Sequence, residues 1–356
     1  MISIFNSKCV KSKHYPVVGK TTVYIKHDEH FGKCLIHESN FVTPNMPKLH
    51  YALSFRVVGE TINITGLSQE LSKYDKAWVF EKRDGFNCLF YEYKGKIIPK
   101  TRQSPIATGK IMDIINLREF PYDKIKHMVR DGYVPIFEVW GTVLDKFQIL
   151  HSCINLAEVQ KVENLPELNV DLIAVMEADY ETYEYRFLPP KKIIDLSQEY
   201  GLTHVKFHGV TDVSLDKLLE LMEEAEKKNE KTYLTEGYVL HCYPEYAMFK
   251  LKPMAIMVKD IVLSKTVPRD RIVLEISKVA LENSILEIMC NPDEYIQEVI
   301  EYLKEDYSLT KKHLKKIREV FIDFFAQEYV KHFEEEPWKL GVHSMFIRRI
   351  KVKKLK

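Results

Sequence analysis

The hydrophobic pattern of this chain changes period once, near Pro268, and that change limits the folds open to it. Before it, apolar residues fall in short β-branched and aromatic runs at residues 21–25, 52–58, 77–80 and 88–93. Runs of this kind read as strands. Lys94-Gly95-Lys96 reads as a hairpin turn into Ile97-Ile98. Helices are interspersed, the clearest at Leu215, Leu218, Leu219 and Met222, with Ser214 as N-cap and the charged run 223–231 as its solvated end. After Pro268 the spacing turns helical. Residues 272–289 read as one helical stretch, and Asn291-Pro292 restarts a helix, Asn291 capping and Pro292 in the first turn. Its stripe is Tyr295, Ile296, Val299, Ile300 and Leu303, and a further stripe is Leu314, Ile317, Val320, Phe321, Phe324 and Phe325. The pattern predicts an α+β chain: a strand-rich domain over residues 1–265, then a small all-helical C-terminal domain over 266–356.

Composition supports two packed domains. The chain has 356 residues, 46% of them hydrophobic and 12% aromatic, enough for a substantial core. Its net charge of +1 means that a polyanionic partner would have to be held by local patches. The C-terminus is one such patch, with Arg348, Arg349, Lys351, Lys353, Lys354 and Lys356. It reads equally as a nucleic-acid contact or as a solvated end. The six cysteines are scattered without a CxxC pair, which points to a reducing compartment. No signal-like run opens the chain and no window has the apolar length of a membrane span, so the expectation is a soluble cytoplasmic protein without a membrane partner.

The chemistry-bearing residues come in order along the strand-rich part. Lys82-Arg83-Asp84-Gly85 follows the apolar run 77–80. Thr101-Arg102, Phe137-Glu138-Val139-Trp140-Gly141, Glu236-Gly237-Tyr238-Val239 and Phe249-Lys250-Leu251-Lys252 come after it. Singly, each is an ordinary surface pattern; the ordered set is not. A lysine amine, with a reference pKa of about 10.4, becomes a nucleophile when cationic neighbours or a bound metal lower that value. Lys82 would attack the α-phosphorus of ATP and displace pyrophosphate. Lys250 and Lys252 alternate on one strand, so both reach the same developing negative charge. Glu138 and Glu236 supply hard oxygens for a divalent metal, Mg2+ or Mn2+, directly or through water. Gly85 permits a tight turn after the nucleophile.

This set resembles the covalent nucleotidyltransferases: ATP-dependent DNA ligases, RNA ligases and messenger-RNA capping guanylyltransferases. Lys82-Arg83-Asp84-Gly85 matches their first motif, the strand with Glu138 the third, Glu236-Gly237 the fourth and Lys250-Leu251-Lys252 the fifth. The resemblance spans about residues 50–255 and implies a nucleotidyltransferase (ATP-grasp-like ligase) domain with antiparallel sheets. Within the superfamily the chain is most similar to RNA ligases, through Asn87 two residues after Gly85, Glu81 before the lysine, and Arg102 twenty positions after Lys82 (102 − 82). The helical pattern after the fifth motif, in place of a β-barrel, is shared with phage-type and archaeal-type RNA ligases, and both branches stay open.

The resemblance implies an ATP-dependent enzyme joining RNA ends that carry a 5′-phosphate and a 3′-hydroxyl. It assigns catalysis to Lys82, Lys250 and Lys252. It assigns nucleotide binding to Glu81, Asp84, Gly85, Asn87, Arg102, Glu138 and Glu236, with Glu81 helping to read adenine. The strand over residues 173–180 occupies the place that covers the base, with Val175 as the covering side chain. Arg102 is a candidate for contacting ribose or the RNA end, and Arg56 for the leaving pyrophosphate. In the archaeal type the helical domain pairs two subunits, so a homodimer through it is a further expectation. A capping guanylyltransferase, a DNA ligase and a catalytically silent RNA-binding module are the alternatives.

Overall fold

The computed structural model describes residues 9–15, 19–26, 33–36, 39–58, 61–102, 104–143, 147–148, 167–232, 235–258, 267, 269–304, 307, 309 and 311–354. It is mixed α+β, with mostly antiparallel sheets and ten α-helices among the described residues. The expectations for residues 16–18, 144–146, 149–166, 233–234 and 259–266 lie outside that description, as does Pro268 itself.

The chain begins with an antiparallel sheet of β1 (Cys9–Tyr15), β2 (Gly19–Lys26), β3 (Lys33–Ile36) and β4 (Phe41–Val42). Then come β5 (His50–Tyr51), β6 (Leu53–Val58), β7 (Thr61–Leu67), β8 (Lys76–Arg83), β9 (Phe86–Tyr93) and β10 (Lys96–Thr101). Helices α1 (Lys110–Ile115) and α2 (Tyr122–Arg130) precede β11 (Tyr133–Trp140), β12 (Thr142–Val143) and β13 (Phe147–Gln148). The strand β14 (Asn169–Asp179) is followed by β15 (Glu184–Phe187), α3 (Lys191–Glu199), β16 (Thr203–His204) and β17 (Phe207–Asp212). Next are α4 (Leu215–Thr232), β18 (Thr235–Cys242), β19 (Ala247–Leu251) and α5 (Met254–Met257).

Two sheets position the site. One has the order β10-β9-β11-β14-β15, with β16 also pairing β14; the other has the order β17-β8-β18-β19-β5. Pairing is antiparallel except for β14 with β16 and β19 with β5. β11 lies between β9 and β14, and six of its eight residues are buried, which its apolar sequence allows on both faces. A core of Leu89, Tyr91, Ile98, Val134, Ile136, Ala174 and Met176, joined by Met248 of β19, unites residues from both sheets.

The elements described after residue 266 are helices: α6 (Arg269–Glu282), α7 (Ile285–Cys290), α8 (Pro292–Lys304), α9 (Lys311–His332) and α10 (Ser344–Lys354), with a 3-10 turn at Pro337–Leu340. Contacts divide the chain into two compact units, residues 1–58, 62–107 and 114–256, and residues 59–61, 108–113 and 257–356. The second unit packs its own core around Ile276, Val299, Ile317, Phe321, Phe325 and Phe346. The stretch 272–289, read above as one helix, is broken at Asn283-Ser284. Asn283 donates to the Val279 carbonyl at 2.9 Å, and Ser284 caps α7 by accepting from the Glu287 amide at 3.1 Å. The Ser-x-x-Glu cap outweighs the continuous apolar spacing. Among the described residues no helix is long and apolar enough to cross a membrane.

Candidate active site

Lys82 stands at the point where the chain leaves one sheet and enters the other. It is the last residue but one of β8, and Asp84-Gly85 carries the chain into β9. That turn lies hard against β11: a Cβ on Gly85 would stand 2.2 Å from the Val139 carbonyl oxygen and 2.8 Å from the Trp140 Cβ. Only glycine permits this approach. Glu138 projects from β11 two residues before Trp140, opposite Asn87 of β9 and Asp171 of β14.

Glu236 reaches Lys82 through a break in strand alternation. The pairing of β18 with β8 shifts register between Thr235 and Gly237, which stand opposite Arg83 and Lys82. A bulge re-aims the side chain of the extra residue, and here the Glu236 carboxylate accepts from the Lys82 ammonium. The other Glu236 oxygen lies 3.5 Å from Lys252 Nζ. Glu236 is only 3% exposed, so this triad is shielded from water. Gly237 closes the arrangement: its φ is +112°, and a Cβ there would meet the Leu251 carbonyl oxygen at 2.2 Å. The Lys250 ammonium lies 4.0 Å from the centre of the Tyr51 ring, its partner on the neighbouring strand β5.

The charges of this cluster act on one another. Burial pushes the Glu138 carboxyl up to about 8; Lys82 and Arg102 oppose the rise, and the Glu236 and Asp84 carboxylates add to it. Glu138, Lys82, Glu236, Asp84 and Arg102 are thus within electrostatic reach at one place. Among the described residues no three His, Cys, Asp or Glu side chains converge tightly enough to hold a metal ion alone. The three mutually repelling carboxyls do fit a divalent cation that takes its remaining oxygens from a polyphosphate and water. One prediction follows from Glu138. Its folded pKa lies above the ordinary 4.5, so the folded state binds more protons than the unfolded state between the two values. The sign follows: this contribution to stability is full below about 4.5 and is lost as pH rises towards about 8. Urea midpoints measured from pH 5 to 8 are expected to fall more steeply for the natural chain than for Glu138→Gln.

A second polar group sits on the other side of β8. Successive strand residues face opposite ways, and Glu81 meets Arg83 Nη2 at 3.2 Å and His208 Nε2 at 3.8 Å. Burial would raise the Glu81 carboxyl, but His208 and Arg83 outweigh it and hold it below its ordinary value. The Arg83 guanidinium stacks 4.4 Å above Trp140, whose indole N–H donates to Asp171 Oδ2 at 2.7 Å. Three buried side-chain atoms lack a hydrogen-bond partner among the described residues: Arg83 Nε, Asn87 Oδ1 and His208 Nε2. Of these, Asn87 faces Glu138 across the strands, which is where a bound ligand would supply a partner.

The structure therefore brings Lys82, Asp84, Gly85, Glu138, Glu236, Lys252 and Arg102 together, with Asn87 beside Glu138 and Lys250 on the adjoining strand. It sets Glu81 in the group with His208. Val175 is buried on β14 between Ala174 and Met176, which share the core of Ile136 on the Glu138 face; alternation turns Val175 to the opposite face. Arg56 is exposed on β6 and takes no part in the contacts above. His208, Asp171 and Tyr51 were not readable as site residues. Their partners Trp140, Lys250 and Glu81 belong to stretches already noted, but they lie 31 to 199 residues away in sequence.

No family model matches the chain, and no curated protein does. Solved structures do. An archaeal ATP-dependent RNA ligase, in its form 2, matches with a TM-score of 0.50 at 14% identity, over 99% of this chain and 94% of that one. Form 1 matches with a TM-score of 0.47 at 14% identity, over 100% and 79%. An Aquifex aeolicus protein provisionally assigned as an ATP-dependent DNA ligase matches with a TM-score of 0.49 at 17% identity, over 94% and 79%. The chain thus shares its fold with the form 2 archaeal ATP-dependent RNA ligase. At this identity the likeness is one of fold, and it is to the archaeal ATP-dependent RNA ligase that it extends over nearly the whole of both chains.

Proposed function

We propose that this protein is an ATP-dependent RNA ligase that works through a lysyl–AMP intermediate. The observation that carries the reading is the Lys82–Glu236–Lys252 triad, set within electrostatic reach of Glu138 and Arg102. It is an amine nucleophile surrounded by the cations and carboxylates that nucleotide transfer requires. In the resting protein Glu236 pairs with Lys82 and also faces Lys252. A polyphosphate entering here offers the lysines a stronger anionic partner. Transfer of the ammonium proton to water frees the Lys82 lone pair. Its attack forms the N–P bond to the α-phosphorus as the bond to the bridging oxygen breaks and pyrophosphate leaves. Lys252, Lys250 and Arg102 stabilise the charge that builds on the phosphoryl oxygens. A divalent cation, Mg2+ or Mn2+, would supply further neutralisation of the triphosphate, with Glu138 and Glu236 as its protein oxygens.

The second and third steps use the same positioning. The AMP passes to the 5′-phosphate of an RNA end and releases the lysine. A 3′-hydroxyl then attacks that phosphate, forms the phosphodiester and expels AMP. Catalysis is mainly orientation and charge stabilisation. Within this reading, residues 1–265 are the nucleotidyltransferase domain and 266–356 a separate helical one.

The test is incubation with ATP or GTP labelled at the α-phosphate, followed by denaturing electrophoresis and then by 5′-phosphorylated single-stranded RNA or nicked DNA. The expected result is a labelled band from ATP and joined or circularised RNA. A band from GTP alone would favour a capping enzyme, and sealing of nicked DNA alone a DNA ligase. RNA binding with no band at any metal concentration would leave a silent binding module.

A further inference from the structure

The chain carries three tryptophans, and they stand in different surroundings. Trp140 is buried with its N–H bonded to Asp171, and Trp78 stacks on Phe207 at 5.1 Å. Trp338 is 53% exposed, and its indole makes no hydrogen bond among the described residues. It is nevertheless held firmly. It lies in the 3-10 turn Pro337–Leu340, whose Pro337 is buried and whose end is closed by Gly341 at φ +71°. The amides of Gly341 and Val342 donate back to the Trp338 and Pro337 carbonyls, and the His343 amide donates to Met289 of α7. The backbone beneath the ring is therefore held in place, and the ring itself stands at the surface.

A cationic helix face stands beside this ring. Ser344, Arg348, Lys351 and Val352 share the exposed face of α10, while Phe346 and Ile350 hold the opposite face in the core. The Lys351 ammonium lies 5.7 Å from the Trp338 ring centre. Neither Arg348 nor Lys351 is ion-paired among the described residues, whereas Arg349 is engaged by Asp323 at 3.2 Å. The acidic run Glu334, Glu335 and Glu336 precedes the turn, and Lys354 reaches back to the carbonyls of Glu334 and Glu335.

We propose that Trp338, Arg348 and Lys351 form a docking surface for single-stranded RNA, with a base stacked on the indole and the flanking phosphates on the two cations. A half-exposed aromatic ring beside a helix face that carries two unpaired cations is complementary to a strand that alternates π-faces with negative charges. The inference goes beyond the catalytic site and takes from the proposed function only that RNA is the substrate.

The test uses the full-length protein and a fluorescently labelled, 5′-phosphorylated uridine-rich strand, read by anisotropy. Trp338→Ala is expected to weaken binding about tenfold, and Trp338→Phe to restore most of it. Arg348→Ala is expected to flatten the dependence of log K on log salt by roughly 0.7. All three variants should form the Lys82 adduct with ATP alone at the natural rate. Unchanged RNA affinity in Trp338→Ala would overturn the proposal. So would a dimer, seen by sedimentation, that this variant dissociates while RNA affinity stays the same. If the natural protein forms no adduct yet binds RNA in a Trp338-dependent way, the surface stands and the ligase reading falls.

Discussion

Lys82→Ala is expected to leave no covalent nucleotide on the protein, a fall of at least about a thousandfold in label retained after denaturation. The reasoning is chemical: no other amine shares Glu236 from the position beside Asp84-Gly85. Lys252 faces the same carboxylate from the end of β19, and Lys250 rests on Tyr51. On the proposed reading those two serve the developing charge, so Lys250→Ala and Lys252→Ala should slow labelling yet leave the bond on Lys82. Mapping the labelled peptide distinguishes the cases, and label found on any other residue would refute the assignment. Lys82→Ala also leaves Glu236 with one partner fewer in a buried place, a loss of roughly 1–3 kcal/mol. A melting curve of the variant shows that it remains folded when it is assayed.

Gly237→Ala is expected to damage fold and site together. An alanine there must hold φ near +112° and place its methyl 2.2 Å from the Leu251 carbonyl oxygen and 3.0 Å from Pro253 Cδ. Left-handed strain costs about 1–3 kcal/mol and overpacking a similar amount. The expected loss is therefore about 2–6 kcal/mol in chemical denaturation. The relief lies in moving Leu251 and Lys252 away, which carries Lys252 off Glu236. Nucleotide transfer should then fall more than the unfolded fraction explains, measured at a temperature where the variant is still native. A variant as stable and active as the natural chain would show that β18 and β19 tolerate separation here.

The strands and the motif around Lys82 were readable because both depend on local signals. β9 and β10 follow from the runs around Lys94-Gly95, and Ser214 caps α4 as read, accepting from the Lys217 amide at 3.3 Å. The ordered motifs place Lys82, Glu138, Glu236, Lys250 and Lys252 on four strands that long-range pairing brings together. What the residues did not reveal belongs to that pairing. The register of β18 against β8 decides which side Glu236 faces, and no neighbour in sequence encodes it. The His208–Glu81 contact joins residues more than a hundred positions apart. The direction of Val175 turned on strand parity, which the uniformly apolar run 172–176 leaves undetermined. Helices α1, α2 and α3 were passed over because they are short and carry few periodic apolar positions.

The register shift ahead of Gly237 has an evolutionary side. Because one extra residue there displaces the acid sideways, the ladder from Gly237 onward is regular without it. Loss of a single codon would therefore delete the carboxylate and straighten the strand while sparing the interior. On the reading proposed above, one such deletion would turn a catalyst into an inert carrier of the same architecture and leave Lys82 in place.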